Sequence, residues 1–291
     1  MARMLDAALT GRVLQSTDFR IPRYSGLSLA GSRVGSVVSR GKHLLIRTGQ
    51  LSIHCDLTAD GRWDVYAPGE RWRSPSYKAR CVLKNADFQA IGFEMAFLQV
   101  IHTVEEPAVV GHLGPDPLGH YWDSAEALRR LAINPVRPIG PALVDQRLIA
   151  GLGNVFRSEL LFLARVNPHL PVGEVRDLAH VVELAHQLLH SNKDSARRIT
   201  TPASHPEPYW VYGRGGLPCP RCGDDIVHER MGTSMAALSL TTVSSAEGVV
   251  GSSVATQQPR RFADGCDVDV FWCPNCQALP TNVAAATTSA H

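Results

Sequence analysis

Four cysteines in two pairs, Cys219-Pro-Arg-Cys222 and Cys273-Pro-Asn-Cys276, are the residues whose type and spacing imply chemistry most directly. Two C-x-x-C knuckles close four thiolates tetrahedrally around zinc, whereas a redox dithiol needs only one pair. One structural Zn2+ is expected. The pairs stand 50 residues apart, too far for a compact finger, but that interval contains residues 231–258, which hold a single charge, Glu247. Looped out as a flexible Ser/Thr/Ala/Gly-rich insertion, this segment leaves a two-stranded zinc ribbon. Cys266 is spare to the site, and Cys55 and Cys81 fall in strand-like runs, where a thiol packs as a small apolar group.

A second stretch, "QRLIAGLGNVFRSELL" (146–161), interrupts helical periodicity with Gly151, Gly153 and Asn154. Gly151 suits a positive φ that ends the first helix, and Gly153 allows a close backbone approach. Asn154 is expected at the N-cap of the next helix, whose free N–H groups and positive dipole end favour an anion. The turn could clamp a phosphate; it could equally be a plain capped αα-hairpin, and by itself it does not decide. Lys42, in "SRGKHLLI", is open in the same way: an edge-strand lysine facing solvent, or a phosphate contact.

The elements that must position these groups fall into an α+β multidomain pattern. A short helix is expected over 3–10, with Met4, Leu5, Ala8 and Leu9 on one side. Strand-like runs follow at 12–17, 34–39, 43–48, 51–57, 62–66, 81–84, 88–93 and 97–103, predicting an amino-terminal β-sandwich closed near residue 119 by "HLGPDPLG". Residues 120–205 read as helical, with Val175, Leu178, Val182, Ala185 and Leu189 on one buried face. The zinc-bearing segment spans 206–277, and 278–291 is expected to be a disordered tail.

At 291 residues and 44% hydrophobic, the chain can bury a substantial core. It has no apolar run of about 18 residues and no secretory signal at its start, so the expectation is a cytoplasmic protein without membrane contact whose seven cysteines are thiols or metal ligands. Net charge is only +2, but residues 1–48 carry eight Lys/Arg against two acids, while residues 201–291 carry five Arg against eight acids. The basic segment suits a polyanion, or simply a solvated surface.

"LVDQRLIAGLGNVFRSELLFLARVNP" closely resembles the helix–two-turn–helix of the formamidopyrimidine-DNA glycosylase and endonuclease VIII family. "SRGKHLLI", "HLGPDPL" and "YGRGGLPCPRCG" are similar to that family's β-hairpin, domain junction and zinc-finger opening, in the family's order, and the closest likeness is to the actinobacterial endonuclease VIII type. The resemblance implies a nucleoid-associated monomer acting on damaged double-stranded DNA. It would flip an oxidised base into a pocket, excise it, and cut at the abasic site through a Schiff base formed by an amino-terminal proline, with the following glutamate moving protons. It also implies that Lys42 contacts phosphate and assists β-elimination, that Asn154 binds phosphate, and that Glu159 packs within the helical motif. Arg40 and Arg214 would add phosphate contacts.

The chain departs from the family pattern at several places. It begins "MARMLDAALTGR", inside the expected first helix, without the Met-Pro-Glu that opens family members. The pair is expected either in frame upstream or truly lost. Ala59 falls where the family has a methionine wedge, Asp56 where it has a histidine, and Val268, flanked by Asp267 and Asp269, where it has the finger arginine; Arg260 and Arg261 lie nearby. The alternative to a glycosylase/lyase is therefore a catalytically silent damaged-DNA-binding protein derived from the family.

Overall fold

The strand-like apolar runs of the first hundred residues fold into two four-stranded antiparallel sheets. A computed structural model describes residues 1–57, 61–195, 197–232 and 267–279. The chain groups into two units: residues 1–130 with 146–152 and 182–198, and residues 131–145 with 153–181 and 199–291. In the first unit the strands are β1 (Ser16–Phe19), β2 (Val34–Arg40), β3 (His43–Thr48), β4 (Leu51–Asp56), β5 (Arg62–Tyr66), β6 (Ala79–Lys84), β7 (Gln89–Phe93) and β8 (Leu98–His102). One sheet runs β2-β3-β4-β8 and the other β1-β6-β7-β5.

Strand period 2 decides which side chains meet. Leu44, Ile46, Ile53 and Cys55 of one sheet share a buried cluster with Trp63, Cys81, Leu83 and Ala90 of the other, joined by Leu5 and Leu9 of the first helix, α1 (Ala2–Leu9). The Cys55 Sγ accepts the Trp63 indole N–H at 3.3 Å, and burial pushes its thiol up to about 12. Both strand cysteines are packing groups. The intervening residues His43, Arg47, Ser52 and His54 project to the opposite face of β3 and β4. There Glu106, which opens α2 (Glu106–Val110), accepts two bonds from Arg47 Nε and Nη2, at 2.9 and 2.6 Å, and one from Ser52 Oγ at 2.6 Å.

Several boundaries differ from the sequence reading. The strand expected at 12–17 forms at Ser16–Phe19, with Val13 in an isolated bridge to Arg33. The helical run expected to continue through Gly151 stops early: α4 covers Ile139–Val144 and ends with Asp145 extended. The reason lies in competing partners. The Gln146 carbonyl accepts the Gly114 amide at 2.8 Å, and the Ala150 amide donates to the Pro115 carbonyl at 2.9 Å. Gly151 does take a positive φ, +90°, but within this turn rather than at a helix end.

The remaining helices are α3 (Ser124–Ala132), α5 (Asn154–Leu163) and α6 (Leu178–Asn192). Asp123 and Asp177 accept the amides of Glu126 and His180 at 2.9 and 2.8 Å, side-chain caps that fix where α3 and α6 begin. Val175, expected on the face of α6, is buried ahead of it. In the second unit β9 (Val227–Gly232) pairs antiparallel with β10 (Asp267–Trp272) as the ribbon. No helix among the described residues is long and apolar enough to cross a membrane.

Candidate nucleic-acid interface and metal centre

Strands β2 and β3 are joined by a two-residue turn, Gly41-Lys42, between the paired residues Arg40 and His43. Gly41 takes φ +57°, and Glu94 and Arg165 are the only non-glycine residues at positive φ among the described residues. A hairpin turn with its left-handed residue first is the II′ geometry, which matches strand twist and demands glycine there. A Cβ on Gly41 would also lie 3.1 Å from the Ala150 Cβ and 3.3 Å from the Gly151 N. The Lys42 carbonyl accepts the Leu57 amide at 2.7 Å, and Arg40 Nη2 donates to the Gly114 carbonyl at 3.4 Å. Lys42 and Arg40 are both half-buried.

Behind this turn lies a polar group that sequence reasoning missed. His43 Nδ1 and His54 Nε2 are 2.9 Å apart, and His54 Nδ1 lies 3.1 Å from Gln99 Nε2. An amide N–H cannot accept, so Gln99 donates to Nδ1 and His54 carries its proton on Nε2, donating it to His43. Burial, reinforced by His43, holds His54 down at about 4; burial likewise lowers His43, helped by His112 and Lys42 and opposed by Asp56. Asp56, placed by the family resemblance where a histidine stands, pairs across from His43 at the end of β4. The strand register could have revealed this cluster, since His54 stands opposite Leu45 and so shares a face with His43, two rungs away.

The histidine pair gives a pH prediction. Both folded pKa values lie below the unfolded value of about 6.5, so the unfolded chain binds the extra protons and stability falls as pH drops through that value. For His54 the loss levels off near 4 and amounts to about 3 kcal/mol. Urea melts at pH 7.5, 6 and 4.5 are expected to show His54→Gln losing less stability than the parent over this range. Parallel losses would mean that His54 titrates alike in the folded and unfolded chain.

In the second unit, α5 starts differently from the expected cap. Gly153, extended at φ −132°, is the N-cap, Asn154 is the first helical residue, and no side chain caps the helix. The first-turn amides, which have no partners within a helix, thus remain for an outside acceptor. Further along α5, three consecutive polar residues are completely buried: Arg157, Ser158 and Glu159. Glu159 accepts the amides of Trp210, Val211 and Tyr212 at 2.8–2.9 Å and the Thr200 hydroxyl, fixing the "YWVYG" loop that leads to the cysteines. Ser158 Oγ accepts the Phe271 amide at 3.2 Å, and Arg157 Nη2 donates to the Asp269 carbonyl. Burial draws the Arg157 guanidinium down to about 10, so it remains charged at neutral pH. Arg214 follows the loop, its Nη2 donating to the Pro218 carbonyl at 3.3 Å.

The four cysteines of the two pairs converge. The Sγ atoms of Cys219, Cys222, Cys273 and Cys276 lie within 4.8 Å of one another, with Cys222–Cys273 at 3.4 Å and Cys219–Cys276 at 3.9 Å. Tetrahedral Zn–S bonds of about 2.3 Å place sulfurs about 3.8 Å apart, whereas a disulfide needs about 2.05 Å. The spacing fits a single metal ion. Amides of Arg221 and Cys276 point at Cys219 and Cys273 Sγ at 3.5 and 3.4 Å, an arrangement that favours thiolate charge. Phe162 of α5 packs in the same cluster as Cys219 and Cys273, with the Arg221 guanidinium 4.1 Å from its ring centroid.

Among the positions where this chain departs from the family pattern, Val268 is half-buried in β10 opposite Met231, and the Asp269 carboxylate pairs with His228 Nε2 at 3.0 Å. Ala59, Arg260, Arg261 and Cys266, most of the insertion and most of the tail lie outside the described residues.

Comparison with known proteins places this geometry among relatives. Residues 113–192 match the "Formamidopyrimidine-DNA glycosylase H2TH domain" model. The chain is 43% identical over 283 residues to a probable endonuclease 8 2 of Streptomyces coelicolor, covering 96% of this chain and 91% of that one. It is 42% identical over 232 residues to the DNA-(apurinic or apyrimidinic site) lyase Nei2 of Mycolicibacterium smegmatis, covering 79% and 90%. The fold matches Lactococcus lactis Fpg in complex with abasic-site DNA at a TM-score of 0.68 and 20% identity, over 96% of this chain and 97% of that one.

Proposed function

We propose, from the premise that this chain belongs to the formamidopyrimidine-DNA glycosylase and endonuclease VIII family, that it is a DNA glycosylase and abasic-site lyase of base-excision repair. The observation that carries the reading is the likeness to an endonuclease 8 along 96% of the chain. Its substrate is damaged double-stranded DNA; the reading is supported by a relative named an abasic-site lyase and by neighbours bound to DNA that contains an abasic site or carbocyclic 8-oxo-G. The protein works as a monomer in the cytoplasm, on the nucleoid.

The residues divide the work as follows. Lys42, at the tip of its hairpin, and Asn154, with the uncapped start of α5, each hold a backbone phosphate of the duplex; Arg40 and Arg214 add further contacts. The cysteine cluster holds one structural Zn2+, which fixes the ribbon and takes no part in catalysis. Schiff-base chemistry uses an amine at the sugar C1′. The base leaves, the iminium acidifies the C2′ proton, and loss of that proton expels the 3′ phosphate.

A second reading, a damage-binding protein without efficient strand cleavage, is favoured by β10, where Val268 and Asp269 offer no cation to the flanking phosphate.

Both readings require phosphate binding, and Asn154 tests it. Asn154→Ala is expected to weaken binding to an abasic duplex by roughly 1–2 kcal/mol, with the helical circular dichroism intact. Affinity should also fall steeply with salt, as several phosphate contacts require. Unchanged affinity would reduce the turn to a structural αα-hairpin.

A further inference from the structure

Asp116, in "HLGPDPL", is 4% exposed and has no role in the reading above. Its Oδ2 accepts the Gly41 amide at 2.6 Å, and its Oδ1 accepts the Leu118 amide at 2.9 Å. The second bond is a local turn that orients the carboxylate; the first crosses to the lysine hairpin. In a two-residue hairpin the amide of the first turn residue points away from the ladder and ordinarily meets water. Here it meets a buried charge, and such bonds are shorter and about twice as strong as neutral ones.

The surroundings leave the hairpin little freedom. Gly41 rests so closely against Ala150 and Gly151 that a Cβ, at 3.1 and 3.3 Å, would push them by a few tenths of an ångström, and its positive φ disfavours one in any case. That 146–152 turn is itself clamped by Gln146, whose Oε1 accepts the Gly151 amide and whose Nε2 donates to the Leu152 carbonyl, both at 2.8 Å. Gly114, two residues before Asp116, is pressed against the same turn: a Cβ there would lie 2.6 Å from the Leu148 carbonyl oxygen. The peptide plane before Gly41 is therefore fixed on one side by the carboxylate and on the other by backbone, and it sets the direction in which Lys42 leaves the sheet.

We propose that Asp116 is a positioning residue for Lys42: by binding the Gly41 amide it seats the Gly41-Lys42 turn on residues 150–151 and aims the lysine at phosphate. The inference rests on the proposed phosphate contact of Lys42. It makes a prediction opposite in sign to simple electrostatics. Asp116→Asn removes a negative charge from a DNA-binding protein, so on charge alone affinity rises. Positioning predicts that affinity falls, because the asparagine amide can satisfy Leu118 or Gly41 but presents N–H to the other.

The experiment measures affinity for a duplex carrying a tetrahydrofuran abasic analogue across a salt series. Lys42→Ala is expected to lower affinity about tenfold and to reduce the salt slope by about 1, the signature of one lost phosphate contact. Asp116→Asn is expected to reproduce both changes, and to add nothing further in the Lys42→Ala background. Gly41→Ala displaces the same turn without altering charge and is expected to behave alike, so it carries the test if Asp116→Asn does not fold. If Lys42→Ala lowers the salt slope but both turn variants leave it at the parent value, or if their losses add to that of Lys42→Ala, the positioning role is overturned on its own. If Lys42→Ala itself leaves the slope unchanged, the phosphate contact fails and the inference falls with it.

Discussion

Serine in place of Cys273 is expected to strip the metal from the four-sulfur cluster and to unfold the ribbon built around it. Cys273 is completely buried, and its Sγ lies 3.4 Å from that of Cys222. The cluster it belongs to is small: Val211, Cys219, Ile226 and Phe271 are its other buried members besides Phe162. Structural zinc in such sites is worth about 10–16 kcal/mol of folding free energy, comparable to the whole stability of a domain at about 5–15. So few apolar side chains cannot replace it. The expected result is substoichiometric metal by elemental analysis and a shift in the fluorescence of Trp272, whose indole N–H donates to Glu229 at 2.6 Å. Cys266→Ser should keep full occupancy. Stoichiometric zinc in Cys273→Ser would remove the four-thiolate assignment.

What the sequence made legible follows from how local each signal is. The cysteine knuckles are short-range patterns, and their convergence across 50 residues needed only that two pairs demand one ion. Short apolar and β-branched runs bounded by turn residues located seven of the eight sandwich strands closely, because that signal is local. The exceptions were set by contacts from elsewhere in the chain. The run after Val144 has helical periodicity, yet Gly114 and Pro115 capture its backbone groups, and nothing in 145–152 announces this. Asn154 looked like a cap because Asn is a good one, but Gly153 takes that place and leaves the α5 amides open. The Asp116 bond to Gly41 was invisible for the same reason: it joins residues 75 apart, neither of them in a strand. The His43–His54–Gln99 chain needed the register of β3, β4 and β8 as well as their positions.

The other large effect separates lyase from binding protein. Residues 1–291 hold no Pro-Glu pair ahead of α1, whose first turn already includes Met1 through the Leu5 amide bond to its carbonyl at 3.1 Å. A Schiff base needs an unprotonated amine at C1′: the amine adds to the aldehyde carbon, water leaves, and borohydride then delivers hydride to the iminium. An α-amine has a pKa of about 7.7–8.0 and a lysine ε-amine about 10.4, so near pH 7.5 the free-base fraction differs by about two orders of magnitude. A lysine is thus a poor substitute for an α-amine, and the α-amine of residues 1–291 is that of Met1 at the start of α1 rather than a proline's; this polypeptide is expected to bind abasic DNA while trapping little covalent adduct under borohydride. The same polypeptide preceded by an amino-terminal Pro-Glu segment is expected to trap at least tenfold more and to nick the strand. Cleavage should be slow if Val268 leaves the flanking phosphate without a cation. Efficient trapping by residues 1–291 would mean that another amine reaches C1′. Failure of the extended polypeptide, with its abasic-DNA affinity intact, would leave a damage-binding protein in which the Lys42 hairpin and the start of α5 hold the DNA without cutting it.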